Sequence, residues 1–181
     1  MLWIRSAVFA TAFVGFFFWL VPRLILDGSG NPHALTGLPL AAGAAVTVAG
    51  FALALWCWGV FGSIGRGTPA PFDPPRHLVV RGPYRYVRNP MYIGGVMMVL
   101  GQAMIFGSVG LLEYAVVVWF AGHLLAVLYE EPALKRIFGD DYSEYRSRVR
   151  RWLPGSAYSP APRPVDLKSK NNDTPLAADS R

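Results

Sequence analysis

The sequence predicts an all-α, polytopic membrane protein with about four transmembrane helices, and three observations lead there. Hydrophobic residues make up 53% of the 181-residue chain and charged residues only 15%, a balance outside the range of ordinary soluble domains. The apolar residues gather into four blocks of roughly spanning length. Apart from Arg23 inside the first block, the lysines and arginines fall before, between or after the blocks, as they do on membrane-flanking segments. The formal charge of +6 therefore points to a membrane surface and not to nucleic acid. Cys57 is the one cysteine, so an internal disulfide or a cysteine-based metal site is excluded, and no metal is expected.

The first block runs from Ala7 to Leu26, with Pro22 and Arg23 near its end. Phe16, Phe17, Phe18 and Trp19 make it bulky, and no small-x-small cleavage site follows closely, so a retained helix fits better than a signal peptide. The second, Leu38 to Gly62, is free of charge and rich in small residues such as Ala41, Ala42, Gly43 and Ala44. Small residues let helices approach closely in lipid, which predicts a packed interior helix. The third and fourth, Tyr92 to Phe106 and Leu111 to Tyr129, are separated by Gly107-Ser108-Val109-Gly110. So short a break predicts a tight helical hairpin. His123 lies inside the fourth block, where a neutral imidazole hydrogen-bonded between helices is expected.

Beyond the fourth block the chain changes character twice. From Pro132 to Val149, apolar residues recur at helical intervals among charges, predicting a C-terminal interfacial helix broken near Gly139. From Gly155 onward proline, serine and charge dominate. The expected organisation is a membrane domain over residues 1–154 and a disordered cytoplasmic tail over 155–181. The second connection carries Arg66, Arg76, Arg81, Arg85 and Arg88, and ten more basic residues follow Tyr129, whereas the first connection and the hairpin turn carry no lysine or arginine. Positive-inside then places both termini and the second connection in the cytoplasm, as for a bacterial inner-membrane protein.

That connection ends in a polar island, Gly82 to Tyr92, holding Pro83, Pro90, Tyr84, Tyr86, Tyr92, Arg85 and Arg88, with Arg81 just before it. Asn89-Pro90 reads as a capped helix start, and the arginines and tyrosines could serve as interfacial anchors. The Glu130–Glu131 pair is harder to explain in those terms. Two carboxylates at the C-terminal end of a membrane helix oppose its dipole, so a cation must compensate: Arg85, Arg88 or a bound ligand. Carboxylates, guanidiniums and aromatic rings on one face suit a small zwitterionic cofactor with an aromatic base. Gly62 to Gly67 does not match the glycine order of a dinucleotide loop.

The run Arg76-His77-Leu78-Val79-Val80-Arg81-Gly82-Pro83-Tyr84, then Arg88-Asn89-Pro90-Met91-Tyr92-Ile93-Gly94, then Glu130-Glu131, Leu134, Phe138-Gly139, Tyr142, Tyr145, Arg148-Val149 and Pro154 resembles the isoprenylcysteine carboxyl methyltransferases and related membrane phospholipid methyltransferases. The resemblance implies an integral membrane methyltransferase that uses S-adenosyl-L-methionine through a cytoplasmic cofactor-binding connection. It implies cofactor contacts at Arg76, His77, Leu78, Val79, Tyr84, Asn89, Pro90, Met91, Tyr92 and Glu130. Arg88 and Glu131 are the expected catalytic residues: Arg85 or Arg88 suits the cofactor's carboxylate, and Glu131, Glu130 or His123 is available as a base for an amine acceptor. The family often has histidine where this chain has Asn89, and the eukaryotic prenylcysteine enzymes have a substrate-linked arginine where this chain has Ala126. The expected acceptor is a lipid or lipid-linked carboxylate or amine. The competing readings are a membrane lipid reductase using NADPH and a non-catalytic membrane scaffold or transporter.

Overall fold

The computed structural model describes residues 11–30, 33–65 and 77–160. Within them the chain is all-helical. Helix α1 is Thr11–Gly28, α2 is Leu38–Val60, α3 is Pro90–Phe106, α4 is Val109–Leu125 and α5 is Glu131–Arg148. Three stretches are long and apolar enough to cross a membrane: Thr11–Gly28, Leu38–Ile64 and Val109–Arg148; α3 is a shorter apolar helix. This is the polytopic architecture the sequence predicts. Arg5, Arg66, Arg76 and the tail beyond residue 160 lie outside the described residues.

The α2–α3 pair forms the most extensive packing in the fold, and glycine makes it possible. The buried residues of α2 are Gly43, Gly50 and Cys57, one every seven positions. A Cβ on Gly43 would stand 2.6 Å from the Gly101 carbonyl, and one on Gly50 would stand 2.6 Å from the Gly94 carbonyl. The two antiparallel backbones therefore touch at two points one heptad apart, as small residues permit in lipid. The expectation of an interior helix is corrected here. Only one narrow seam of α2 is buried, while Leu38, Val48, Phe51, Leu55 and Trp56 are exposed, because so close an approach is made by backbone and leaves the large side chains outside.

Helix α1 docks by a different device. Its middle widens into a π turn, Phe16–Leu20, in which the Val21 amide donates to the Phe16 carbonyl. That step leaves the Phe17 carbonyl without its usual helical donor. Pro22 has no N–H to offer Phe18. In lipid such carbonyls must find donors. The Tyr114 hydroxyl of α4 donates to Phe17 O at 3.0 Å, and Gln102 Nε2 of α3 donates to Phe18 O at 3.0 Å. The Phe18 ring meanwhile lies against Gly95, where a Cβ would come within 2.8 Å of it.

The α3–α4 hairpin is as predicted. Gly107 ends α3 in the left-handed region at φ 57°, and the Ser108 side chain caps α4 by accepting from the Leu111 amide. The C-terminal helix differs from expectation in one respect: α5 is continuous with α4 through a π turn, Ala126–Glu130, the third among the described residues after Phe16–Leu20 and Phe61–Gly65. The cause matches that in α1. The Glu131 amide donates to Ala126 O, and Pro132 follows directly. The expected break at Gly139 is present, at φ 52° and ψ −118°, a conformation that favours glycine. Beyond it Tyr142, Tyr145 and Val149 pack on Val80.

Candidate active site

The polar island and the carboxylate pair meet where α3 begins and α4 passes into α5. The two glutamates diverge as neighbours on a helix must, about 100° apart, and each finds a different environment. Glu130 Oε1 accepts from the Tyr92 hydroxyl at 2.5 Å. Glu131 is buried and held by arginines: Arg88 Nη1 donates to Oε1 at 3.0 Å, and Arg151 grips both oxygens, through Nε at 2.7 Å and Nη2 at 3.0 Å. Arg146 stands farther off, at 4.0 Å. The fork of Arg151 on a carboxylate is the geometry guanidinium is built for. The cation that compensates Glu131 is therefore Arg88, joined by Arg151, and not Arg85.

Arg85 serves the other side of the loop. Its Nε donates to Tyr158 O at 2.9 Å and its Nη2 to the Ser159 hydroxyl at 3.2 Å. The chain after α5 thus returns to the island as a strap. Arg88 N donates to Arg150 O, Gly155 N to Tyr86 O and Tyr158 N to Arg85 O. Ordered contacts run to Ser159, past the boundary expected at Pro154, because the island's backbone supplies donors and acceptors to a segment with no core of its own. Trp152, from this strap, reaches into the aromatic layer beneath. Its Nε1 donates to His123 Nδ1 at 3.1 Å, and its ring neighbours those of Trp119 and Tyr92. His123 is hydrogen-bonded, but to the strap and not between helices as expected.

The other expected contact residues differ in their surroundings. Val79 and Pro90 are buried, and Leu78 packs on the Val80–Tyr142–Tyr145–Val149 cluster. Met91 is half-buried and His77 is exposed. Tyr84 has its carbonyl bound by the Tyr145 hydroxyl at 2.7 Å. Burial raises its phenol well above the ordinary range, with Cys57, Tyr145 and Glu130 adding to the shift, so it stays neutral. Arg76 lies outside the described residues.

Asn89 departs from the capping role. Its side chain makes no cap bond to α3, and its Nδ2, like Arg88 Nε, is buried without a hydrogen-bond partner. Two buried donors on consecutive residues are thus left without partners, in a segment whose Arg88 holds Glu131 and whose Tyr92 holds Glu130, and native interiors rarely leave such capacity unused. These groups suit a ligand that carries acceptors of its own together with a hydroxyl or ammonium for Glu130. Arg151 and Trp152 were missed by sequence reasoning. Their signal was faint: two more side chains in a basic stretch that reads as a membrane-facing surface.

A family model described as phospholipid methyltransferase matches residues 38–141, more than half of the chain. Among curated proteins, the chain is 38% identical over 79 residues to the protein-S-isoprenylcysteine O-methyltransferase of Schizosaccharomyces pombe, covering 42% of this chain and 33% of that one. It is 39% identical over 80 residues to protein-S-isoprenylcysteine O-methyltransferase B of Arabidopsis thaliana, covering 42% and 39%. Against the A form of the same plant it is 39% identical over 86 residues, covering 46% and 42%. The matched part spans less than half the length of each of these relatives. No solved structure matches.

Proposed function

Because the chain belongs to the phospholipid methyltransferase family, we propose that it transfers a methyl group from S-adenosylmethionine to a hydrophobic or lipid-linked carboxylate or amine at the cytoplasmic membrane face. The observation that carries this reading is the pair of buried donors without partners, Asn89 Nδ2 and Arg88 Nε, in the same short segment that supplies Tyr92 to Glu130. The residues fit the cofactor's chemistry. Asn89 and Arg88 offer donors to its carboxylate or its adenine nitrogens. Glu130, oriented through one oxygen by Tyr92, keeps acceptor capacity for ribose hydroxyls or an ammonium. The faces of Tyr92 and Trp152 suit a sulfonium by cation–π attraction. The named relatives are O-methyltransferases of isoprenylcysteine proteins, which supports methyl transfer and a lipid-borne acceptor for this chain.

When bound, S-adenosylmethionine supplies an electrophilic methyl carbon whose leaving group is a neutral thioether. The protein's part is then alignment and exclusion of water, and orientation alone can contribute several orders of magnitude. Glu131 is assigned to positioning, and Arg88 holds it through Nη1 while offering Nε to the cofactor. Locked together with Arg151, Glu131 is poorly placed to take a proton, and its effect is to hold the island against α5 and the strap. A carboxylate acceptor needs no base. For an amine acceptor Glu130 is the candidate, because the Nδ1 lone pair of His123 is already engaged by Trp152. An apolar recess of about 230 Å³ between Leu53, Trp56, Val87, Ile93 and Pro154 offers a hydrophobic acceptor a lateral approach.

The test is calorimetry on detergent-purified protein with S-adenosylmethionine, S-adenosylhomocysteine and NADPH. Micromolar binding of the first two, weakened at least tenfold by Glu130→Ala and by Tyr92→Phe, is the expected result. Binding of NADPH alone would favour a reductase, and binding of none a scaffold. Unchanged binding in both variants would remove the site assignment.

A further inference from the structure

A recess of about 250 Å³ opens at the junction of α4 and α5, lined by Val127, Glu131, Pro132, Lys135, Arg146 and Arg151. Three cations and one carboxylate leave its lining with a net charge of +2. The carboxylate is already paired with Arg88, outside the lining, and with Arg151, within it, at 3.0 and 2.7 Å. Arg146 reaches it only at 4.0 Å, with half of its side chain exposed. Lys135 is exposed and makes no ion pair among the described residues. Asp140, Asp141 and Glu144 of α5 do not line the recess. Excess positive charge therefore faces outward from it.

We propose that this recess seats the headgroup of an anionic phospholipid, with the phosphate between Lys135 and Arg146 and the glycerol end against Val127 and Pro132. Position argues for a lipid source over a soluble anion. Val127 belongs to the turn that ends the apolar span, and on that same turn Leu128 is 71% exposed and Tyr129 48% exposed, surfaces that acyl chains cover. Basic residues at this level are drawn to anionic headgroups, and Arg146 and Arg151 can add directed hydrogen bonds to phosphate oxygens. The consequence is coupling. A phosphate beside Arg151 bears on the residue that orients Glu131, so the lipid bound here would bias the geometry of the island. None of this depends on the methyl-transfer reading.

The experiment uses the full chain in phosphatidylcholine nanodiscs containing a graded fraction of phosphatidylglycerol, with retained lipid counted by native mass spectrometry. Phosphatidylglycerol should be retained in preference to phosphatidylcholine. The double variant Lys135→Gln/Arg146→Gln should lose about 30-fold of that preference, Arg146→Lys should keep most of it, and thermal unfolding should show both variants folded. Equal retention of the two lipids, or an unchanged preference in the double variant, would overturn the proposal. So would displacement of the bound lipid by inorganic phosphate at equal concentration, which would make the ligand a free anion.

Discussion

Replacing Glu131 with glutamine should be among the most destabilising polar substitutions in this protein, and the structure gives the ranking around it. The side chain is 9% exposed and faces Arg88, itself 10% exposed. Glutamine keeps one acceptor oxygen but puts an amide NH2 against a guanidinium. Arg88 is then left buried and charged, with its Nε already lacking a partner. Breaking a buried pair in this way costs about 3–5 kcal/mol. Arg151→Gln removes two charged hydrogen bonds, but its side chain is 25% exposed, so water repays part of the loss and about 1–3 kcal/mol is expected. Arg146→Gln, at 4.0 Å and 51% exposed, should cost less than about 1 kcal/mol. Thermal unfolding of the three variants in one detergent measures the series, at about 2–4 °C per kcal/mol for a chain of this size. Arg88→Met/Glu131→Leu should recover part of the Glu131→Gln loss, since no unpaired buried charge remains. A Glu131→Gln variant within about 1 kcal/mol of wild type, or an Arg146→Gln variant as unstable as Arg151→Gln, would refute the reasoning.

Other perturbations test the frame of the fold. Gln102→Leu strips the Phe18 carbonyl of its donor and should cost about 1–3 kcal/mol, read in the same unfolding assay. Gly50→Ala drives a Cβ to 2.6 Å from the Gly94 carbonyl and should wedge α2 from α3, whereas Gly59→Ala, with nothing within 4 Å, should be neutral or stabilising by up to about 1 kcal/mol; equal outcomes would argue against the seam. Truncation after Pro154 removes the Gly155 and Tyr158 hydrogen bonds to the island and should raise protease susceptibility around Arg85. An unchanged digestion pattern would show that the strap contributes nothing there.

The parts of this architecture that one residue type decides locally were legible in the sequence. Gly107 and Gly139 announce a hairpin and a break because few other residues accept their backbone angles, and the four apolar blocks follow from what lipid demands of a span. The meeting of the island with Glu130–Glu131 was legible through charge, since paired carboxylates call for a cation, although the helix end expected there is absent and α4 runs on into α5. Its details were not. Choosing Arg88 over Arg85, and adding Arg151, depends on a chain reversal after α5 that no periodicity encodes. Asn89-Pro90 had the composition of a cap, yet the asparagine at φ −120° and ψ 56° makes no cap bond. The π turns at Phe16–Leu20 and Ala126–Glu130 left a trace, a proline following an apolar helix, but only the structure shows that the turn before Pro22 and Pro132 widens to accommodate it.

The π turn in α1 also constrains the order in which the protein assembles. When α1 enters the bilayer during synthesis, its Phe17 and Phe18 carbonyls lack the donors they will use. Those donors lie 97 and 84 residues further along the chain. Insertion of α1 can therefore be early while its docking must be late, after α3 and α4 have entered and closed their hairpin. Until then α1 is an aromatic helix with two polar atoms seeking partners, and Gln102 and Tyr114 direct it to a single face of the bundle.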